Sequence, residues 1–113
     1  MGPHYDLPRR LALLIVEEIL PEAARPVAAA VAVARGAVEG RVPFAELRSR
    51  YEAARLVAHR TGEPELDVAA HLLHPDPLVA LDLVVGDATE LDPANAALYE
   101  RLYWAAAEEP EGQ

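Results

Sequence analysis

Prolines recur along the chain, and most of them precede a run of apolar, often alanine-rich sequence. Because proline fits the first turn of an α-helix but cannot continue one, these positions predict where helices begin. There is no Asn-Gly turn and no alternating run of β-branched residues, so nothing predicts a hairpin. The sequence therefore predicts an all-α fold, a compact bundle of five to six short helices in a single domain. The helix-starting prolines are Pro8, Pro21 or Pro26, Pro43, Pro64, Pro77 and Pro93.

Glycines and polar clusters after these runs predict where the helices end. The expected helices span 8–20, 21 or 26 to about 40, 43–61, 64–73, 77–86 and 93–109. The fifth segment also contains L-D-L-V-V, which suits a buried strand, but the Asp76-Pro77 pair favours a capped helix. We expect residues 1–7 to form a leader, 8–109 the single helical domain and 110–113 a disordered tail.

Apolar spacing predicts which helix faces are buried. A stripe at intervals of three and four marks the inward face of the third helix: Phe44, Leu47, Tyr51, Ala54 and Ala58. In the last helix the same spacing predicts an inward face made of Leu98, Leu102 and Ala105.

Composition narrows the class of protein. The 113 residues include no cysteine, so there is no disulfide and no thiolate ligand or nucleophile. The net charge of −9 disfavours direct binding to nucleic acid and favours a partner with a basic surface. All ten basic residues are arginine and alanine is abundant, which indicates a bacterial source. No apolar run reaches the roughly 18 residues of a membrane span, so we expect a soluble, cytoplasmic protein that does not bind membranes.

Histidines and aspartates crowd into the segment D-V-A-A-H-L-L-H-P-D-P at positions 67–77. Asp67 and His71 lie one helical turn apart and His74 follows, so the three could form a metal site or a metal-dependent active site. The alternative is structural: Asp67 and His71 form an ordinary helix pair, and Asp76 caps the next helix. Because Pro75 turns His74 away from the helical face, we favour the structural interpretation and predict no catalytic residues, metal or cofactor.

The run A-A-H-L-L-H-P-D also resembles the A-A-L-L-H-D signature of HD-domain phosphohydrolases. That family binds metal through adjacent His and Asp residues and a further histidine upstream. Here Pro75 separates His74 from Asp76, and the upstream region near Arg48 has no histidine. We therefore do not predict phosphohydrolase activity for this chain.

Three aromatic residues cluster in the last helix, in a chain that has six in all. They are Tyr99, Tyr103 and Trp104, and they cannot all face the core because consecutive helical residues are about 100° apart. Aromatic residues at the edge of a core are favoured anchors of protein interfaces. We therefore predict Tyr99, Tyr103 and Trp104 as partner-binding residues.

The first half of the chain resembles a known family. It runs L-A-L-L-I-V-E-E-I-L-P-E, then R-P-V-A-A-A-V-A-V-A-R-G-A-V-E-G-R-V, then F-A-E-L-R-S-R-Y-E-A-A-R-L-V-A-H. This order is similar to the alanine-rich immunity proteins of bacterial polymorphic-toxin systems. The resemblance implies a protein that binds and neutralises a toxin.

Together these observations favour a non-catalytic, acidic helical protein that binds another protein, as an inhibitor, an immunity-type protein or an adaptor. One alternative is a metal-dependent enzyme or metal-binding protein centred on Asp67, His71 and His74. Another is a self-associating helical bundle, which would form a homo-oligomer.

Overall fold

The computed structural model describes residues 7–20 and 25–108. These residues form six α-helices and one short 3-10 helix, and no strand occurs among them. The all-α prediction is therefore confirmed. The helices are α1 (Leu7–Ile19), α2 (Arg25–Val38), α3 (Phe44–Thr61), α4 (Pro64–Leu72), α5 (Pro77–Leu91) and α6 (Ala96–Ala107), with the 3-10 turn at Pro93–Asn95 before α6.

Proline places most of the helix starts where the sequence predicted them. Helices α4 and α5 begin at Pro64 and Pro77, and α2 has Pro26 in its first turn. Glycine ends α3, because Gly62 adopts a left-handed φ of 69° and donates its N–H to the carbonyl of Ala58. Helix α1 begins at Leu7, the last residue of the predicted leader 1–7. Residues 1–6, 21–24 and 109–113 lie outside the described part, and with them the rest of the leader and the predicted tail.

Helix α5 differs from its predicted length. It continues through Gly86 as far as Leu91, whereas the sequence suggested a stop at the glycine. Glycine costs only about 1 kcal/mol in a helix interior. Val84, Val85 and Ala88 on either side of Gly86 are buried, and burial of apolar side chains outweighs that cost.

Helix α6 begins three residues later than the Asp92-Pro93 pair suggested. Pro93 opens the 3-10 turn instead, and α6 starts at Ala96. The Asp92 side chain makes no capping bond to the backbone; it accepts hydrogen bonds from Asn95 Nδ2 at 2.9 Å and from the Tyr99 hydroxyl at 2.7 Å.

The core lies where α1, α4 and α5 meet, closed by α2 on one side and α6 on the other. Apart from Tyr99, its large buried side chains are aliphatic, so apolar burial is the main stabilising term. The largest fully buried side chains are Leu72, Leu81, Val16, Val27, Val68 and Val84.

Two predicted inward faces need correction. Phe44 is 63% exposed, because α4 has nine residues against the eighteen of α3 and leaves the start of α3 uncovered. In α6 Leu98 and Ala105 are exposed. The inward face of α6 is rotated by about one residue relative to the prediction, and it consists of Tyr99, Leu102, Tyr103 and Ala106.

Helices α3 and α6 pack on different neighbours. Helix α3 packs on α4 and, to a smaller extent, on α2, whereas α6 packs on α5 and α1. No substantial contact joins α3 to α6. Within the described residues, no helix combines the length and the apolar character that crossing a bilayer requires.

Candidate functional site

The turn between α4 and α5, which contains the histidine-rich segment, is held by an arginine from α1. Arg9 is only 3% exposed, and its guanidinium donates hydrogen bonds to the carbonyls of Leu72 at 2.8 Å, His74 at 2.8 Å and Pro75 at 3.2 Å. Carbonyls at a helix C-terminus lack intrahelical donors and carry partial negative charge, so a buried cation is stabilised there. The spacing of residues along the sequence does not predict this contact.

The aspartate in this turn is a helix cap. The Asp76 carboxylate accepts hydrogen bonds from the N–H groups of Leu78 at 3.0 Å and Val79 at 3.3 Å, as the Asp76-Pro77 pair predicted. His74 faces the same turn, where its Nδ1 accepts a hydrogen bond of 3.0 Å from the N–H of Asp76. The His74 ring also lies edge-on to the Tyr51 ring of α3, with 5.0 Å between centroids.

His71 pairs with a residue that the sequence did not suggest. Its Nδ1 donates to Asp87 Oδ2 at 2.6 Å, joining α4 to α5. The hydrogen bond to Asp87 raises the pKa of His71 above its ordinary value; burial opposes this effect, and the negative charges of Asp87 and Asp67 add to it. Asp87 lies sixteen residues after His71, a separation at which helix periodicity predicts no contact.

The three candidate metal ligands are directed to different surroundings. Asp67 is exposed on α4, His71 is bound to Asp87, and His74 contacts Tyr51 and the Asp76 backbone. No group of three or more His, Cys, Asp or Glu side chains within residues 7–20 and 25–108 is arranged to hold a metal ion. A His–Asp pair can orient an imidazole for proton transfer. Neither His71 nor Asp87, however, lines the groove that lies between α2, α3 and α4. In this structure the pair links two helices.

The aromatic cluster of α6 divides into a buried and an exposed part. Tyr99 is 3% exposed and donates its hydroxyl to Asp92, so in this conformation it cannot contact a partner. Burial and the bond to Asp92 raise the pKa of Tyr99 to about 12. Trp104 is 58% exposed, and the partly buried Tyr103 packs edge-to-face against it at 5.2 Å with an interplanar angle of 76°. Tyr103 and Trp104 remain as candidate contact residues.

Comparison of this chain with protein-family models, with curated protein sequences and with solved structures gives no match. The candidate surfaces are therefore defined by their own geometry and chemistry.

A groove between α2, α3 and α4 is a second candidate surface, which sequence analysis did not identify. It holds about 230 Å³. Its floor is Leu66 and Ala69 of α4 and Leu73 just after that helix. Small residues line both walls, and the groove stays open because α2 and α3 touch each other only slightly. Arg50 is the one charged residue in the lining. The wall residues are Pro26, Ala29, Ala30 and Val33 on α2 and Ala53, Ala54 and Val57 on α3.

Helix α3, which forms one wall, has an unusually large exposed apolar surface. Only Leu47 and Ala58 of its eighteen residues are buried, whereas Phe44, Leu56 and Val57 are exposed. Exposed large apolar side chains that lie together are characteristic of interaction sites, and Leu56 and Val57 are neighbours on α3. Helix α3 therefore extends the candidate surface of the groove, and it shares no substantial contact with α6, which carries Trp104.

Proposed function

We propose that this protein is a non-catalytic binding module that docks onto another protein through the end of the bundle formed by α5 and α6. The observation that carries the proposal is the exposure of Trp104 at 58%, with its ring held edge-to-face by Tyr103. An indole held in this way loses little conformational entropy on binding, and tryptophan is among the residues most enriched in binding hot spots.

Charge around Trp104 supports a basic partner. Residues 61–108 contain ten aspartates and glutamates but one arginine, Arg101. Exposed acidic residues include Asp82 and Glu90 on α5, Glu100 on α6 and Glu108 directly after α6. Complementary charge accelerates association and orients the two surfaces, and salt weakens it. An inhibitor or immunity-type role, which the resemblance of the first half implies, is one form of this function.

Affinity capture with matched variants tests the proposal. Immobilised wild-type protein is expected to retain a binding partner that Trp104→Ala does not retain, and added salt is expected to release it. Leu14→Ala is the control, because Leu14 on α1 is 64% exposed but lies on a different helix. Both variants change exposed side chains and should leave thermal unfolding unchanged. Retention of no partner, or equal retention by wild-type protein and Trp104→Ala, would contradict the proposal.

A further inference from the structure

Charge is strongly separated between the two halves of the bundle. Residues 25–60, which form α2 and α3, contain seven arginines and three glutamates, although the chain as a whole is acidic. Three of these arginines have ion-pair partners: Arg35 with Glu17, Arg41 with Glu39, and Arg48 with Glu52. Within the described residues the other four form no ion pair, which leaves their charge available to a ligand: Arg25, Arg50, Arg55 and Arg60.

Exposed apolar residues are separated in the same way. The basic half has Phe44, Leu56 and Val57 on α3, and the acidic half has Leu91, Leu98 and Trp104 at the end of α5 and on α6. Since α3 and α6 share no substantial contact, one molecule carries two separate surfaces of opposite net charge, and each has exposed apolar residues.

The two surfaces also differ in shape. At the basic end Val57 lines the groove together with Arg50, and Arg25 directly precedes the wall residue Pro26 in the chain. Alanine walls allow a docked helix to approach closely, because axes of packed helices come within about 8–10 Å. At the acidic end Leu98 and Trp104 project from α6, where Glu100, Arg101 and, just after the helix, Glu108 are also exposed. A helix that presents apolar residues and carboxylates is the chemical complement of the groove.

We propose that the partner of this protein is a second copy of itself, and that the α6 surface of one copy docks into the α2–α3–α4 groove of the next. This inference rests on the proposed function, because it uses the same Trp104 surface and names its partner. The contact joins two different surfaces, so it is heterologous. Each added copy leaves one groove and one α6 surface free, and growth continues until the assembly closes into a ring.

Sedimentation of capped variants tests this arrangement. Val57→Asp places a carboxylate in the apolar wall of the groove, and Trp104→Ala removes the anchor of the α6 surface. The sedimenting mass of wild-type protein is expected to increase with concentration. Each variant alone is expected to remain a monomer, because its affinity for self-association is weakened by at least about tenfold. An equimolar mixture of the two variants is expected to form a dimer and nothing larger, because Val57→Asp keeps an intact α6 surface and Trp104→Ala keeps an intact groove.

Two charge-reversal variants of α3, at Arg50 and at Arg48, test the role of charge complementarity. Arg50 lines the groove, whereas Arg48 on the same helix pairs with Glu52 away from it. Arg50→Glu is expected to weaken self-association, and Arg48→Glu to leave it near the wild-type value. Both positions are exposed, so circular dichroism and thermal unfolding should confirm that both variants fold.

Three outcomes would overturn the inference: a wild-type protein that is monomeric at every concentration, a variant mixture that stays monomeric, or equal effects of Arg50→Glu and Arg48→Glu. The proposed function is tested separately by Trp104-dependent capture. Monomeric wild-type protein that still captures another protein through Trp104 would refute only self-association. Capture and self-association that are both indifferent to Trp104→Ala would refute the two proposals together.

Discussion

Arg9 of α1 donates a hydrogen bond of 2.8 Å to the carbonyl of Leu72, the last residue of α4 and sixty-three positions away in the chain. Together with its bonds to the next turn, this contact fixes the route of the chain from α4 to α5. The segment that most resembles a metal site is therefore held by hydrogen bonds from a buried guanidinium to backbone carbonyls.

Removal of the Arg9 side chain should destabilise the fold. Arg9→Met keeps much of the apolar volume but leaves the buried carbonyl of Leu72 without its donor, at an expected cost of about 2–4 kcal/mol in the free energy of unfolding. Arg10→Met is the control, because the neighbouring Arg10 is exposed. Urea unfolding of the two variants measures the difference, and similar midpoints would contradict this role of Arg9.

The His71–Asp87 pair should make stability depend on pH. Because the pKa of His71 is raised in the folded state, its stabilising contribution is complete below the unfolded pKa of about 6.5 and is lost as pH rises through the folded value. Asp87→Asn should lower the free energy of unfolding by about 1–3 kcal/mol below that pH and by less in alkaline solution. Asp82→Asn, at an exposed site on α5, is the control in unfolding measured across pH. A loss that is the same at every pH would argue against the charged pair.

The buried hydroxyl of Tyr99 should contribute to the stability of the α5–α6 junction. Tyr99→Phe removes its hydrogen bond to Asp92, with an expected loss of about 1–2 kcal/mol. The pKa of Asp92, which hydrogen bonds from Asn95 and Tyr99 hold below its ordinary value, should rise. Tyr103→Phe serves as the control, because the Tyr103 hydroxyl has no hydrogen-bond partner in the described part of the chain. Thermal unfolding and NMR titration measure the two effects, and equal stability of the variants would contradict the prediction.

Two helical glycines should respond to alanine in opposite ways. A Cβ at Gly36 would lie 2.7 Å from Val42 Cγ2, whereas at Gly86 it would meet no atom within 4 Å. Gly86→Ala should stabilise the protein by about 0.5–1 kcal/mol through better helix propensity. Gly36→Ala should stabilise the protein by less than this or destabilise it, because the Val42 side chain must move to make room for the new Cβ. Melting temperatures of the pair provide the measurement, and an equal increase in both would show that Val42 yields without cost.

Local chemistry determined the elements of this fold. Proline in a first turn, the Asp76 cap and the Gly62 stop act over one helical turn, so the fold class and most helix ends follow from adjacent residues. Where such a signal competed with packing, packing prevailed: α5 passes through Gly86 because buried residues lie on both sides of it.

Only the tertiary structure decided how distant residues meet. The Arg9–Leu72 and His71–Asp87 contacts and the α2–α3–α4 groove join residues from different helices, and helix periodicity has no information about which helices become neighbours. The aromatic cluster shows the same division. The sequence by itself determined that Tyr99, Tyr103 and Trp104 point in different directions around α6, because that angle is a property of one helix. Packing of α6 on α5 and α1 then decided that Tyr99 is buried and that Trp104 is exposed.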